Sequence, residues 1–208
     1  HRRELAGEHA PHGIAMHVLE AGYAPAGRPA LLLVHGFPEL AYSWRKIMVP
    51  LAAAGYHVVA PDMRGYGRTS APQDISAYSI FDLVGDMVGL VTALGETKAI
   101  IIGHDWGAPV AWHAALFRPD MFTAVGGLSV PPPFRGRERP LDTLTKSGVT
   151  NFYWQYFPKP GVAEAEFEQN VDGVLPQQGR FVTDVSWRAA EVHGVLHGEI
   201  REAGGMLA

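Results

Sequence analysis

The sequence contains no cysteine, and this absence excludes several kinds of chemistry at once. Without thiols the chain can form no disulfide, carries no thiolate nucleophile and has no ligands for a zinc–thiolate site. The composition therefore fits a reducing compartment, and we expect a soluble, cytoplasmic protein. Nothing in the sequence indicates a bound cofactor or metal, so we expect neither.

Long apolar runs and dense basic clusters are also missing. No apolar stretch approaches the roughly 20 residues that span a bilayer. The net charge is -4, and the basic residues cluster only around 135–140. These features argue against a membrane or a nucleic acid as the main partner. The chain starts at His1 without a leader sequence, so we expect the translated start to lie elsewhere. The oligomeric state cannot be predicted from these residues.

Short apolar runs alternate with stretches of helical spacing along the first 130 of the 208 residues. The apolar runs, many of them β-branched, predict strands at 13–22, 31–34, 57–62, 100–102 and 122–130. Apolar residues three and four apart predict helices over 41–54, 79–94 and 107–118.

Local signals refine three of these elements. The looser alternation of 13–22 predicts an edge strand or a hairpin. Pro50 is expected to kink or split the first helix. Ser79 and Asp82 form a capping box at the start of the second helix. The core-facing stripe of that helix is predicted to be Phe81, Val84, Val88, Val91 and Leu94.

Strands that alternate with helices predict parallel pairing, because parallel strands need long crossover connections. The expected fold is therefore α/β, with a doubly wound sheet. Ligands bind such sheets at the carboxyl ends of the strands. Three candidate functional loops follow predicted strands, at 35–39, 62–70 and 104–106.

The segment IIIGHDWGAPV, residues 100–110, has the layout of a nucleophile elbow. In such a turn the nucleophile sits on a sharp bend between a strand and a helix, with small residues two positions before and after it. Gly103 and Gly107 occupy those flanking positions, and Asp105 lies between them. The central residue is a carboxylate in place of the serine of the GxSxG form.

Four motifs in chain order carry a resemblance to a known family. They are HGFPE at 35–39, DMRGYGRTS at 62–70, GHDWGAPVAW at 103–112 and FYWQYFPKPGVAEAEFEQN at 152–170. Together they resemble the α/β-hydrolase superfamily, and specifically its epoxide hydrolase branch. The resemblance implies an α/β-hydrolase fold with a mostly parallel sheet and an α-helical cap. It places the N-terminal part of the core at 1–131 and the beginning of the cap at 132–208.

The resemblance also implies a mechanism and roles for particular residues. Asp105 would open an epoxide by nucleophilic attack, which a carboxylate ionised at neutral pH can do without an activating base. The backbone N–H groups of Phe37 and Trp106 would form an oxyanion hole for hydrolysis of the resulting ester. Pro38 would orient that loop through a cis peptide bond. Tyr153, the first tyrosine of the cap motif, would donate a hydrogen bond to the epoxide oxygen.

Further residues are expected to bind substrate or shape its pocket. We predict this role for His35, Pro38 and Tyr156, and for the Trp106 side chain as a pocket wall. His35 is expected to act mainly by holding its own loop. Tyr156 is the second candidate for the hydrogen-bond donor and otherwise packs within the cap.

Several assignments have a plainer alternative. Asp105 also suits the N-cap of the following helix. Tyr153 has aromatic neighbours in sequence on both sides, so it could be a core residue. His104 adjoins the nucleophile, but at an elbow its side chain should point away, which makes it a poor base. Asp62 and the RGYG turn that follows are expected to be scaffold.

The resemblance leaves part of the expected machinery unmatched. The superfamily order is nucleophile, then acid, then histidine. The helix-like stretch 186–200 holds His193 and His197, spaced four apart as in some zinc sites, but it lacks the adjacent glutamate of a zincin helix. Neither histidine has the context of the family's base. We therefore expect the acid, the base and a second cap tyrosine to lie beyond Ala208.

The function expected from these residues is that of an epoxide hydrolase acting on a small apolar epoxide and water to give a vicinal diol. One alternative is a haloalkane dehalogenase, which also uses an aspartate followed by tryptophan. Another is a catalytically incomplete fragment or binding domain of the same fold. Without the acid and base, we expect ester formation on Asp105 but no turnover.

Overall fold

The computed structural model describes residues 2–5, 13–23, 27–133, 136, 138–148, 153–157, 159–163 and 165. These residues fall into two compact units, one ending at Pro133 and the other beginning after it. The strands are β1 (Arg2–Leu5), β2 (Met16–Ala21), β3 (Ala30–Val34), β4 (His57–Pro61), β5 (Ala99–His104) and β6 (Phe122–Leu128). The helices are α1 (Arg45–Ala53), α2 (Ile80–Ala93), α3 (Gly107–Phe117), α4 (Pro140–Lys146) and α5 (Tyr153–Tyr156), with 3₁₀ turns at Ala41–Trp44 and Ile75–Tyr78.

The first unit is built on a six-stranded sheet with the order β1-β2-β4-β3-β5-β6. Strands β4, β3, β5 and β6 pair in parallel, and β1 and β2 add two antiparallel pairings at one side. β3 and β4 are buried at every position, as expected for strands covered on both faces. The prediction of a doubly wound, mostly parallel sheet is therefore confirmed.

Helices cover both faces of this sheet. On one face, α2 and α3 pack on apolar side chains that include Leu32, Val34 and Ile101. On the other face, α1 and the turn before it pack on Leu31, Leu33 and neighbouring residues. Adjacent residues of β3 thus point into different cores, which follows from the two-residue repeat of a strand. Both faces being covered explains why β3 is an unbroken apolar run.

Two local predictions need correction. The segment 13–22 forms the single strand β2, which pairs with both β1 and β4, so it is an interior strand and the edge position belongs to β1. Pro50 lies inside α1 without splitting it, and the break falls earlier, where the 3₁₀ turn at Ala41–Trp44 ends. Buried Ile47, Met48 and Leu51 hold α1 in place, so their packing offsets the hydrogen bond that proline removes.

The predicted start of the second helix is confirmed, but the predicted apolar face is only partly correct. The Asp82 N–H donates to the Ser79 hydroxyl at 3.3 Å, and Ser79 is the N-cap. Val84 and Val91 are buried, whereas Phe81 is 70 % exposed and stacks on Phe117. The buried face runs through Val84, Asp86, Met87, Leu90 and Val91. The apolar face predicted from helical spacing is therefore rotated by about one residue from the face that is buried in the structure.

The second unit contains α4 and the single-turn helix α5. Arg139 precedes α4 and forms an ion pair with Asp142 at 2.9 Å. The predicted helix at 186–200, with His193 and His197, lies outside the described residues. Within the part of the chain that the structure describes, no helix is long and apolar enough to cross a membrane.

Candidate active site

Asp105 occupies a sharp turn between β5 and α3. Its φ is +50°, a left-handed conformation that is unusual for a residue other than glycine. The Asp105 N–H donates to the carbonyl of Leu128 on β6 at 3.2 Å, and its own carbonyl accepts from the Ala108 N–H at 3.0 Å. The turn is therefore held by both neighbours, β6 and α3, as a nucleophile elbow requires.

The two glycines that flank this turn are required by close backbone contacts. A Cβ on Gly103 would lie 2.0 Å from the Gly107 carbonyl oxygen. A Cβ on Gly107 would lie 2.2 Å from the Val34 carbonyl oxygen. Neither contact is possible for a real side chain, so only glycine lets α3 approach β5 and β3 this closely. The sequence interpretation of the elbow rests on these same two positions.

The Asp105 carboxylate is held by one oxygen. Its Oδ1 accepts a hydrogen bond from the Phe37 backbone N–H at 2.9 Å. Its Oδ2 makes no hydrogen bond with any of the described residues. Gly36 allows this approach, since a Cβ there would lie 2.5 Å from Oδ1. The arrangement fixes the direction of the carboxylate and leaves one oxygen available to react.

The loop that supplies Phe37 is a tight turn after β3. The peptide bond between Phe37 and Pro38 is cis, as the sequence resemblance implied. The Glu39 N–H closes the turn by donating to the Gly36 carbonyl at 3.0 Å. Trp106, the residue after the nucleophile, is the N-cap of α3, and its side chain is 40 % exposed. It thus presents an indole at the surface beside Asp105.

His35 ties this loop to the next one. Its Nε2 accepts from the Met63 N–H at 3.0 Å, so Nδ1 must carry the proton that is donated to the Gly36 carbonyl at 2.8 Å. His35 is completely buried, and this burial lowers the pKa of its imidazole. The ring is therefore neutral, and its two hydrogen bonds hold in place the loop that carries the Phe37 N–H.

His104 and Glu39 form a contact that the sequence analysis did not anticipate. The His104 Nδ1 lies 3.2 Å from Glu39 Oε2, and both side chains are largely buried. Glu39 was part of the HGFPE motif but had no assigned role. Both residues lie near the carboxyl ends of the adjacent strands β3 and β5, which was the available signal. The His104 side chain is directed to this partner.

The turn at 62–70 is a buried scaffold beside the site. Asp62 accepts from the Ala41 N–H at 2.9 Å and pairs with His17 at 2.8 Å. Arg64 forms a buried pair with Asp86, with two contacts of 2.6 Å. These bonds agree with the scaffold role expected for the turn. These hydrogen bonds and ion pairs fix the turn to β2, to the segment before α1 and to α2.

Tyr66 lies at the tip of this turn and faces the site. Its ring meets the His35 imidazole edge-to-face with centroids 4.9 Å apart. Burial and the charge of Asp105 raise the pKa of Tyr66 to about 12, so the phenol is neutral. The whole RGYG turn was expected to be scaffold, and no role in the site was predicted for Tyr66.

The two tyrosines of the cap motif belong to the second unit. Tyr153 opens α5, is 37 % exposed, and its ring lies 5.7 Å from that of Phe157. Tyr156 ends the same short helix. In the first unit the structure brings together the other predicted site residues, namely Asp105, Phe37, Pro38, Trp106 and His35. Among the described residues, no group of three or more His, Asp or Glu could hold a metal ion.

Comparison with known proteins agrees with this geometry. The family model described as the alpha/beta hydrolase fold matches residues 29–156 of the chain. This range holds the whole elbow, the Phe37 loop and α5. The chain belongs to the alpha/beta hydrolase fold family.

Several relatives that the chain is similar to are named epoxide hydrolases. The chain is 48% identical over 155 residues to epoxide hydrolase A of Mycobacterium tuberculosis, covering 74% of this chain and 48% of the relative. It is 40% identical over 196 residues to bifunctional epoxide hydrolase 2 of Sus scrofa, covering 94% of this chain and 33% of the relative. The crystal structure of epoxide hydrolase A from Mycobacterium thermoresistibile superposes with a TM-score of 0.75 at 47% identity, covering 82% of this chain and 52% of that one. The chain thus spans about half the length or less of these relatives.

Proposed function

We propose that this chain carries the nucleophile part of an epoxide hydrolase, an enzyme that converts a small apolar epoxide and water into a vicinal diol. The observation that carries the proposal is the Asp105 carboxylate, with Oδ1 held by the Phe37 N–H at 2.9 Å and Oδ2 without a hydrogen bond to any of the described residues. An epoxide carbon is sp³ and strained, so a positioned carboxylate can open the ring directly. The relatives named above support the same reaction.

In the first step Asp105 Oδ2 attacks an epoxide carbon. A new C–O bond forms to the carboxylate, the ring C–O bond breaks, and its electron pair stays on the departing oxygen as an alkoxide. That alkoxide needs a proton, for which we propose the phenol of Tyr153, with Tyr156 as the second candidate. The product of this step is a hydroxyalkyl ester of Asp105.

In the second step water attacks the carbonyl carbon of the ester. Negative charge then develops on the oxygen that was Oδ1, where the Phe37 N–H already donates. We propose that the Trp106 N–H is the second donor. Breakdown of this intermediate releases the diol and restores the carboxylate. A base takes one proton from the attacking water and returns it to the phenolate left by the first step, and the resemblance implies that this base is a histidine. His35 and Pro38 serve the reaction through the loop that they shape, and the Trp106 indole forms a wall of the pocket.

We further propose that residues 1–131 are the N-terminal part of the hydrolase core and that 132–208 begin the helical cap. The partners are then a small apolar epoxide and water, with no role for nucleic acid or a membrane. A cytoplasmic location stays a prediction, which fractionation of cells that make the protein would test.

Intact-mass spectrometry after treatment with styrene oxide tests the nucleophile. We expect the protein to gain the mass of one styrene oxide, and peptide mapping to place the ester on Asp105. Asp105→Asn is the matched control and should stay unmodified, since an amide is not nucleophilic. Folded wild-type protein that forms neither an adduct nor a diol would refute the proposal. Halide release from a bromoalkane without reaction on the epoxide would instead favour a haloalkane dehalogenase.

A further inference from the structure

Ser129 shares an unusual conformation with the nucleophile. Among the described residues, Asp105 and Ser129 alone have a positive φ without being glycine, at +50° and +70°. Such a backbone costs free energy for a residue with a Cβ, whereas glycine adopts it freely. Strain of this kind persists where the surrounding structure imposes it, and it is typical of functional sites.

The structure fixes Ser129 from both sides. The carbonyl before it, on Leu128, accepts from the Asp105 N–H at 3.2 Å. The carbonyl after it, on Val130, accepts from the Trp112 indole N–H at 3.0 Å. The Trp112 ring reaches this position because Gly127 has no side chain, and a Cβ there would lie 2.3 Å from the ring. Two anchored carbonyls thus hold Ser129 in its left-handed conformation.

This position lies beside Asp105 at the carboxyl edge of the sheet. His104 and Leu128 are partners in the parallel register of β5 and β6 and end those strands, so Asp105 and Ser129 directly follow two adjacent strands. Ser129 is exposed, and its hydroxyl makes no hydrogen bond with the described part of the chain. Ligands of doubly wound sheets bind along this edge. The backbone of Ser129 therefore lies next to that of the nucleophile, and its hydroxyl has no hydrogen-bond partner among the described residues.

The direction of attack limits what this hydroxyl can contact. In a substitution at carbon, the nucleophile and the departing oxygen lie on opposite sides of the reacting carbon. A residue anchored beside Asp105 is closer to the substituents of that carbon than to the departing oxygen, and the backbone of Ser129 is anchored there. A hydroxyl there can donate to an acceptor on a substituent.

We propose that Ser129 is a specificity-determining residue, whose hydroxyl favours epoxides with a hydrogen-bond acceptor on the substituent, such as glycidyl ethers. This inference rests on the proposed function of the same site. A purely structural role would change the reaction with every epoxide alike. A specificity role changes the ratio of rates between an epoxide with the acceptor and one without it.

The test compares ester formation from glycidyl phenyl ether and from styrene oxide, followed by intact-mass spectrometry. Ser129→Ala keeps the strained backbone and removes the hydroxyl, whereas Ser129→Gly removes both. We expect each variant to lower the ether-to-styrene rate ratio about fivefold, as for loss of one neutral hydrogen bond. Thr123→Ala, at the opposite end of β6, is the control and should leave the ratio unchanged.

An unchanged ratio in Ser129→Ala overturns the proposal, even if Ser129→Gly alters the rates, because the backbone and not the hydroxyl would then matter. Binding of the two corresponding diols, measured by NMR titration, gives a readout without chemistry. If the wild-type protein forms no ester, the proposed function fails while the ratio of diol affinities still decides the role of Ser129. Equal loss of affinity for both diols, or no loss, would also overturn it.

Discussion

The substitution Gly36→Ala should slow the attack by Asp105 while leaving the Asp105 carboxylate itself unchanged. The added Cβ would lie 2.4 Å from the Asp105 Cβ and 2.8 Å from the His104 carbonyl oxygen. Carbon atoms in contact prefer a separation of about 3.5–4.0 Å, so the loop and the elbow must move apart by about 1 Å. The φ of Gly36 is not in the left-handed region, so steric contact alone causes the effect.

A shift of about 1 Å in a reacting group can cost about 100-fold in rate, and we expect that loss in ester formation for Gly36→Ala. Overpacking should also cost about 1–3 kcal/mol in the free energy of unfolding. The assay is the initial rate of styrene oxide addition by intact mass, together with urea unfolding. The control is Gly126→Ala on β6, where the new Cβ meets Ile102 at an ordinary 3.4 Å and the rate should stay within about twofold. A folded Gly36→Ala protein that reacts like wild type would refute the geometry of the held oxygen.

Two further predictions concern the scaffold. Arg64→Met should cost about 3–5 kcal/mol in the free energy of urea unfolding because it removes the positive charge that pairs with the buried Asp86 carboxylate. Combining Arg64→Met with Asp86→Leu should recover part of that loss, and a double variant no more stable than the single one would contradict this. Burial lowers the pKa of His35 in the folded state, so the unfolded chain binds more protons and stability falls as the pH drops below about 6.5. His35→Gln should flatten the dependence of unfolding free energy on pH between 7 and 5, and an unaltered slope would show that another group causes it.

The elbow was predictable from sequence because its constraints are local. A bend that brings a helix onto two strands leaves no room for a Cβ at Gly103 and Gly107, so glycine is visible at both positions. The parallel sheet was equally predictable, since a strand covered on both faces must be an unbroken apolar run, as β3 is. Local steric contacts and burial restrict which residue types can occupy a position, so both can be inferred from the sequence.

Long-range polar contacts could not be inferred from the residue types in the same way. The pairing of Glu39 with His104 spans 65 residues and depends on where two loops end. The strained backbone of Ser129 arises because its neighbours are anchored. A serine in the sequence does not by itself indicate a positive φ. Phe81 was assigned to the core because apolar spacing does not distinguish a buried ring from one stacked on the surface, here against Phe117.

The held oxygen of Asp105 links the two steps of the proposed reaction. A hydrogen bond from the Phe37 N–H withdraws charge from the carboxylate and should by itself weaken it slightly as a nucleophile. The same bond orients the carboxylate, so that Oδ2 points at the substrate without a search for the reactive rotamer. Once the ester has formed, Oδ1 becomes its carbonyl oxygen, and the donor stands where negative charge next develops. Because that charge is larger in the transition state than in the ester, the Phe37 N–H should favour hydrolysis more than attack, and the cost in the first step is offset in the second.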